Sequence, residues 1–177
     1  SSTDVFVKIK SESLGQFTGE IIHASTGAAD VVLVIEAIAM SKPEGGPDTL
    51  VIAANQTAAF STGNFTFTDA DGDIMGGILI VTPETKGDLE YNDINVTAGE
   101  TCLDASKITF RPFENESGRP YAGFGFRLID TRGLLSDSTY TMTIFVNNAP
   151  QVMNPIPDGN ANVGTAYSYV IPQNTFG

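Results

Sequence analysis

Apolar and polar residues alternate with a period of two along much of this chain, the pattern of strands that bury one face. In 121–129, Ala122, Phe124, Phe126 and Leu128 share a side. In 138–146, Tyr140, Met142, Ile144 and Val146 do, with Thr139, Thr141 and Thr143 opposite. Strands are predicted at TLVIAA (49–54), NFTFT (64–68), GGILIVT (76–82), DLEY (88–91), INVT (94–97), KITFRP (107–112), YAGFGFRLI (121–129) and STYTMTIFV (138–146). Glycine, Asp, Asn and Ser separate them, and Tyr91-Asn92-Asp93-Ile94 reads as a tight hairpin turn. Fully burying one Phe, Ile or Leu contributes about 1.5–3 kcal/mol, so the apolar faces are expected to meet as a core.

Ahead of this unit, three strands are predicted at Val5–Ile9, at QFTGEIIHA (16–24) and at DVVLVIEAIA (30–39), with turns at Ser13–Gly15 and Thr26–Gly27. The third is apolar on both sides except at Glu36, which predicts a central position. Its β-branched residues show no competing helical period. Residues 41–47, SKPEGGP, have linker chemistry with little to bury, and a domain boundary is placed there. The fold class expected is all-β: tandem β-sandwiches, one complete over 43–150, flanked by the last strands of one module (1–42) and the first strands of another (151–177). Starting at Ser1 and stopping at Gly177 in mid-pattern, the chain reads as a segment of a longer protein.

Composition narrows the functional classes. With 41% hydrophobic and 17% charged residues over 177 positions, the chain can build a packed core. A net charge of −12 with nine scattered Lys and Arg argues against nucleic acid or an anionic membrane as partner. No apolar run reaches the length of a membrane span. The single cysteine, Cys102, allows no internal disulfide and reads as a small buried hydrophobe. The single histidine, His23, has no nucleophile motif beside it, and no carboxylate pair is argued from spacing, so no enzyme is expected. Absence of Trp weighs against a sugar-stacking module. Four N-x-S/T sequons, at Asn55, Asn64, Asn95 and Asn115, are candidate glycosylation sites if the host glycosylates.

The sharpest chemical signal is DADGD, with Asp69, Asp71 and Asp73 at alternate positions and no Lys or Arg close in sequence. Three like charges so close repel, and a hard divalent cation with oxygen ligands removes the conflict. Ca²⁺ is the expected occupant outside cells. An EF-hand is excluded: counted from Asp69, the sixth and twelfth positions hold Ile74 and Ile80, where Gly and a bidentate carboxylate are needed. The alternative is a solvated Asp-Gly turn.

Residues 48–150 resemble the cadherin-like repeats of large bacterial surface adhesins. The likeness lies in F-x-D-x-D-G-D (Phe67 to Asp73), G-x-L followed by V-x-A-G (Gly87, Leu89, Val96, Ala98, Gly99), K-I-T-F-x-P (Lys107 to Pro112), F-x-F-x-L-x-D (Phe124 to Asp130) and a close at N-x-A-P (Asn147 to Pro150). Residues 151–177 resemble the opening of a dystroglycan-type cadherin-like module, through Pro155, Ile156, Pro157, Asp158, Val163, Gly164, Tyr167, Ser168, Tyr169, Ile171 and Pro172. Residues 1–42 resemble the end of a bacterial immunoglobulin-like module, through Gly15, Phe17, Gly19, Ile21, Gly27 and Ala28. The resemblance implies calcium ligands near a joint between modules. Asp130, in the F-x-L-x-D position, and Asn147 and Asn148, beside the second linker, are the further candidates. It implies an extracellular or cell-surface stalk whose partners are neighbouring β-sandwich modules, of the same protein or of adjacent subunits, with cell-surface ligands or glycans at its tip. Two alternatives are a filament subunit completed by strand pairing between copies, and an accessory domain of a secreted glycan-active enzyme.

Overall fold

A computed structural model describes residues 10–24, 26–27, 29–149, 159 and 162–175. The predicted strand at Val5–Ile9 and the motif residues Ala28 and Pro155–Asp158 lie outside the described residues. The chain is mostly β, with two sheets facing each other across one core. The larger sheet has five strands in the order β10 (Thr101–Cys102), β7 (Met75–Thr82), β12 (Gly118–Asp130), β13 (Tyr140–Asn147) and β4 (Asp48–Ala53). Its pairs are antiparallel except β13 with β4, which run parallel from Met142 opposite Asp48 to Asn147 opposite Ala53. The smaller sheet has the order β5 (Ala58–Ala59), β11 (Ile108–Arg111), β8 (Asp88–Tyr91) and β9 (Ile94–Asn95).

The alternation read in the sequence is what closes the two sheets on each other. Ala122, Phe124, Phe126 and Leu128 of β12 and Met142, Ile144 and Val146 of β13 point inward and are buried, while Thr141 and Thr143 face out. From the smaller sheet, Leu89, Ile108 and Phe110 meet them with no exposed surface. Four rings tie the two layers: Phe60 lies 5.7 Å from Phe65 and 5.9 Å from Phe124, and Phe65 meets Phe126 edge-on at 5.1 Å. Such pairs add about 0.5–1.5 kcal/mol each beyond the area they bury. The predicted turn is present, with Tyr91 paired to Ile94 and Asn92 and Asp93 at φ 52° and 62°, the left-handed values a two-residue hairpin requires.

Two predicted strands are shorter than their patterns. Within NFTFT only Phe67–Thr68 (β6) is strand; Thr62–Asn64 form a 3₁₀ turn closed by Ser61 N–H donating to the Asn64 side chain at 2.8 Å. Phe65 still enters the core from that turn. Within INVT only Ile94–Asn95 pair, and Val96 turns inward to be buried.

Residues 41–47 have more to bury than their composition suggests. Pro43 is buried, and Glu44–Gly45 (β3) pair with Phe67–Thr68. Gly45 N–H donates to the Tyr140 hydroxyl at 2.9 Å. A Cβ on Gly45 would collide with the Thr66 carbonyl oxygen, so this close approach is possible only for glycine.

The hairpin β1 (Gly15–His23) and β2 (Val31–Ala39) pairs antiparallel over nine positions, from Gly15 opposite Ala39 to His23 opposite Val31. Among the described residues β2 pairs with β1, and most of its side chains are exposed; the other strand predicted for this module, Val5–Ile9, lies outside the described residues. The register separates the two faces of the hairpin. Phe17, Gly19 and Ile21 share one with Val31, Leu33, Ile35 and Ala37; Gln16, Thr18 and Glu20 share the other with Val32, Val34, Glu36 and Ile38. One face is therefore almost wholly apolar and the other mixed, which is how the strand came to look apolar on both sides.

Candidate metal centre

The loop from β6 to β7 is folded by its first aspartate. Asp69 Oδ1 accepts the backbone N–H of Asp71 at 3.0 Å and of Asp73 at 3.4 Å, and the Asp69 carbonyl accepts Gly72 N–H at 3.4 Å. Gly72 sits at φ +83°, the left-handed conformation this reversal needs. The result is that one carboxylate oxygen from each of Asp69, Asp71 and Asp73 lies within 4.8 Å of the others. Among the described residues it is the one group of three or more His, Cys, Asp or Glu with ligand atoms so gathered.

Two residues that the sequence did not point to complete the surroundings. Ser41, at the start of the segment leading into the sandwich, donates its N–H to Asp71 Oδ2 at 3.0 Å. Its hydroxyl reaches Asp71 Oδ1 at 2.8 Å and Asp69 Oδ1 at 3.2 Å. Arg132 Nε donates to Asp73 Oδ2 at 2.7 Å. The charge conflict expected from sequence is thus partly relieved by a cation 59 residues away, a pairing that no local pattern signals. One oxygen is left over: Asp69 Oδ2 is buried and has no hydrogen-bond partner. An unpartnered buried carboxylate oxygen beside two further carboxylates is an arrangement that suits a cation. The carboxyls of Asp69 and Asp71 share a hydrogen bond, and their titrations split. That bond, then burial, raises the Asp69 carboxyl above its ordinary value. The same bond, then the Ser41 hydroxyl and N–H, lowers Asp71 to about 2.

The other expected ligands sit elsewhere. Asp130, only 2% exposed, ends β12 and turns one oxygen to its own backbone: Oδ1 accepts Arg132 N–H and Leu134 N–H, each at 2.8 Å. It thereby builds the turn that delivers Arg132 to Asp73, and it is not among the three carboxylates that converge. Its Oδ2 is buried without a partner. Asn148 lies past the opposite end of the sandwich. Met75 at the start of β7 pairs with Asp130, whereas Asn147 closes β13 seven residues on from Tyr140. At about 3.4 Å per residue that is about 25 Å. Asn148 there donates to Ser117 Oγ at 2.9 Å, and the Asn147 side-chain oxygen accepts from Arg119 at 3.0 Å.

Beside the acidic loop an open cleft of about 710 Å³ runs between residues 41–45, Thr68–Ala70 and Asp137–Tyr140. Lys42 pairs with Asp137 at its rim. Cys102 is fully buried opposite Ile78, and burial, with the Glu100 charge behind it, pushes its thiol up to about 12. That is the buried hydrophobe the sequence suggests, not a nucleophile. His23 is exposed at the end of β1. No described helix is long and apolar enough to cross a membrane. No family model matches the chain, and no curated protein matches it.

Proposed function

We propose that this chain is a structural segment of an extracellular or cell-surface protein, a stalk of β-sandwiches in which calcium at Asp69, Asp71 and Asp73 stiffens the approach to the sandwich. The observation that carries the reading is the set of three hydrogen bonds from Ser41 to Asp69 and Asp71: the acidic loop grips the residue through which the preceding segment enters. A cation drawing those carboxylates together holds the same point. Its remaining oxygens would come from backbone and water, since calcium takes six to eight. Asp130 supports the site from behind by setting the turn of Arg132. In a tandem array, Asn147 and Asn148 at the far end would face the loop of the following module. The resemblance to cadherin-like repeats of bacterial adhesins supports the same assignment.

Extracellular calcium sites of this kind bind at about 10⁻⁴–10⁻³ M. The test is titration of the whole chain with CaCl₂ by calorimetry, together with amide exchange of residues 41–45. Binding in that range with slower exchange at Ser41–Gly45 is expected, and Asp71→Asn should abolish both. No heat of binding, with exchange indifferent to calcium, overturns the proposal.

A further inference from the structure

The strands through which the chain enters and leaves the larger sheet are direct neighbours, and they run in the same direction. β4 pairs with β13 in parallel at six successive positions, from Asp48 opposite Met142 to Ala53 opposite Asn147. One more bond, Ala54 N–H donating to the Asn147 carbonyl at 2.8 Å, extends the ladder at its far end. At the near end the Asp48 carboxylate accepts the Thr66 N–H at 2.9 Å and the Thr66 hydroxyl at 2.7 Å. The chain therefore enters the pair at the acidic-loop end, through residues 41–47, and leaves it at the opposite end, after Asn147.

This order decides how the sandwich meets tension along the chain. A pull on Met40 draws β4 toward the acidic-loop end, and a pull on Ala149 draws β13 the other way. The two strands are then loaded lengthwise against each other, and all the bonds between them share the force. Were both strands pulled from one end, each bond would carry the whole force in turn. Slippage offers no easier route. Leu50 is buried and Val51 is 53% exposed, and beside them Met142, Ile144 and Val146 are buried. A slip of one residue turns Leu50 to solvent and Val51 into the core, so the register holds until the whole pair lets go.

The segment 41–47, by contrast, is held one contact at a time. Ser41 on Asp69 and Asp71, Lys42 on Asp137, Glu44 on Thr68, and Gly45 on Phe67 and the Tyr140 hydroxyl lie in series along it. These give way singly, and the load then reaches the ladder at Asp48.

We propose that β4 and β13 form a load-bearing clamp, which resists tension applied between residues 40 and 149 and fails in one step. The clamp follows from strand order alone; its use in a tethered stalk rests on the function proposed above.

The experiment is single-molecule pulling of the full chain, in EDTA, through handles on Met40→Cys and Ala149→Cys, both exposed positions. Cys102 has no exposed surface and takes no handle. Peeling of 41–47 should release at most about 25 Å. The sandwich should then open as one event that lengthens the chain by about 300 Å. The comparison is a second pair of handles, on Met40→Cys and Thr139→Cys, which pulls the same two strands apart from one end. Thr139 is exposed and directly precedes β13. Rupture through the first pair should need several-fold more force than through the second. Forced unfolding is governed by the rate of unfolding and not by equilibrium stability, and here that rate depends on the direction of the pull. Equal rupture forces for the two pairs overturn the proposal, as does opening of the sandwich in several smaller steps through the first. Because EDTA is present throughout, neither outcome depends on the calcium reading, which its own titration tests.

Discussion

Ser41 and Arg132 hold opposite sides of the acidic loop, and their roles differ in sign. Ser41 adds neutral donors to Asp69 and Asp71, whereas Arg132 adds a positive charge that a cation at Asp73 must share or displace. With Arg132 46% exposed, its ion pair is expected to be worth about 0–1 kcal/mol in stability. Arg132→Ala should therefore change the melting temperature little while tightening calcium binding several-fold by calorimetry. Looser binding would mean that Arg132 orders the site more than it competes for it. The split titration of Asp69 and Asp71 gives a second prediction. Asp71, held at about 2, stabilises the fold above its ordinary value of 3.8, and that contribution is lost as pH falls through about 2. Asp69, raised, takes up a proton at higher pH than a free aspartate, and that proton competes with the cation. Calcium affinity should accordingly begin to fall while the pH is still above 3.8, and Asp69→Asn should remove that early fall along with much of the affinity. The three aspartates were legible in sequence because they lie within five residues. Ser41 and Arg132 were not, because each reaches the loop from 28 or more residues away through a single side chain.

At the level of elements, the segment 41–47 shows how composition can mislead about burial. Its two prolines and two glycines read as a linker, yet the glycines are what let the backbone lie against Thr66 and the Tyr140 ring. Tyr140→Phe removes the acceptor of Gly45 N–H and should cost about 1 kcal/mol in a urea titration. Exchange at Gly45 should quicken far more than exchange in β12. Phe126→Ala is of another size: fully buried and in contact with Phe65, Phe124 and Tyr140, it should cost about 3–5 kcal/mol. Strands of four or more residues were readable because period-two burial repeats enough to stand out, as in Met142, Ile144 and Val146. The two-residue strands β3, β5 and β10 were not, because they exist only where a neighbouring strand offers a partner. Hydrophobicity on both sides of a strand states that it seeks neighbours, without stating that the described chain supplies them.

For the whole molecule, the balance of 21 acidic against nine basic residues makes the folded state self-repelling, and both salt and calcium act against that repulsion. They can be told apart. Sodium chloride screens every exposed charge within about 10 Å at 0.1 M and should raise the melting temperature gradually and without saturation. Calcium at the Asp69–Asp73 loop is a single-site effect: at ten times its dissociation constant the folded state gains about 1.4 kcal/mol. For a domain of this size that amounts to about 5–10 °C. Melting curves at fixed ionic strength, with calcium replacing sodium, should therefore show a saturating rise that EDTA reverses. Asp71→Asn, which weakens the Ser41 hydrogen bonds that hold Asp71 ionised, should melt slightly below the unaltered chain without calcium and should lose the rise with it. If the two chains respond alike to calcium, the effect is general screening of an acidic surface, and the loop is a solvated turn.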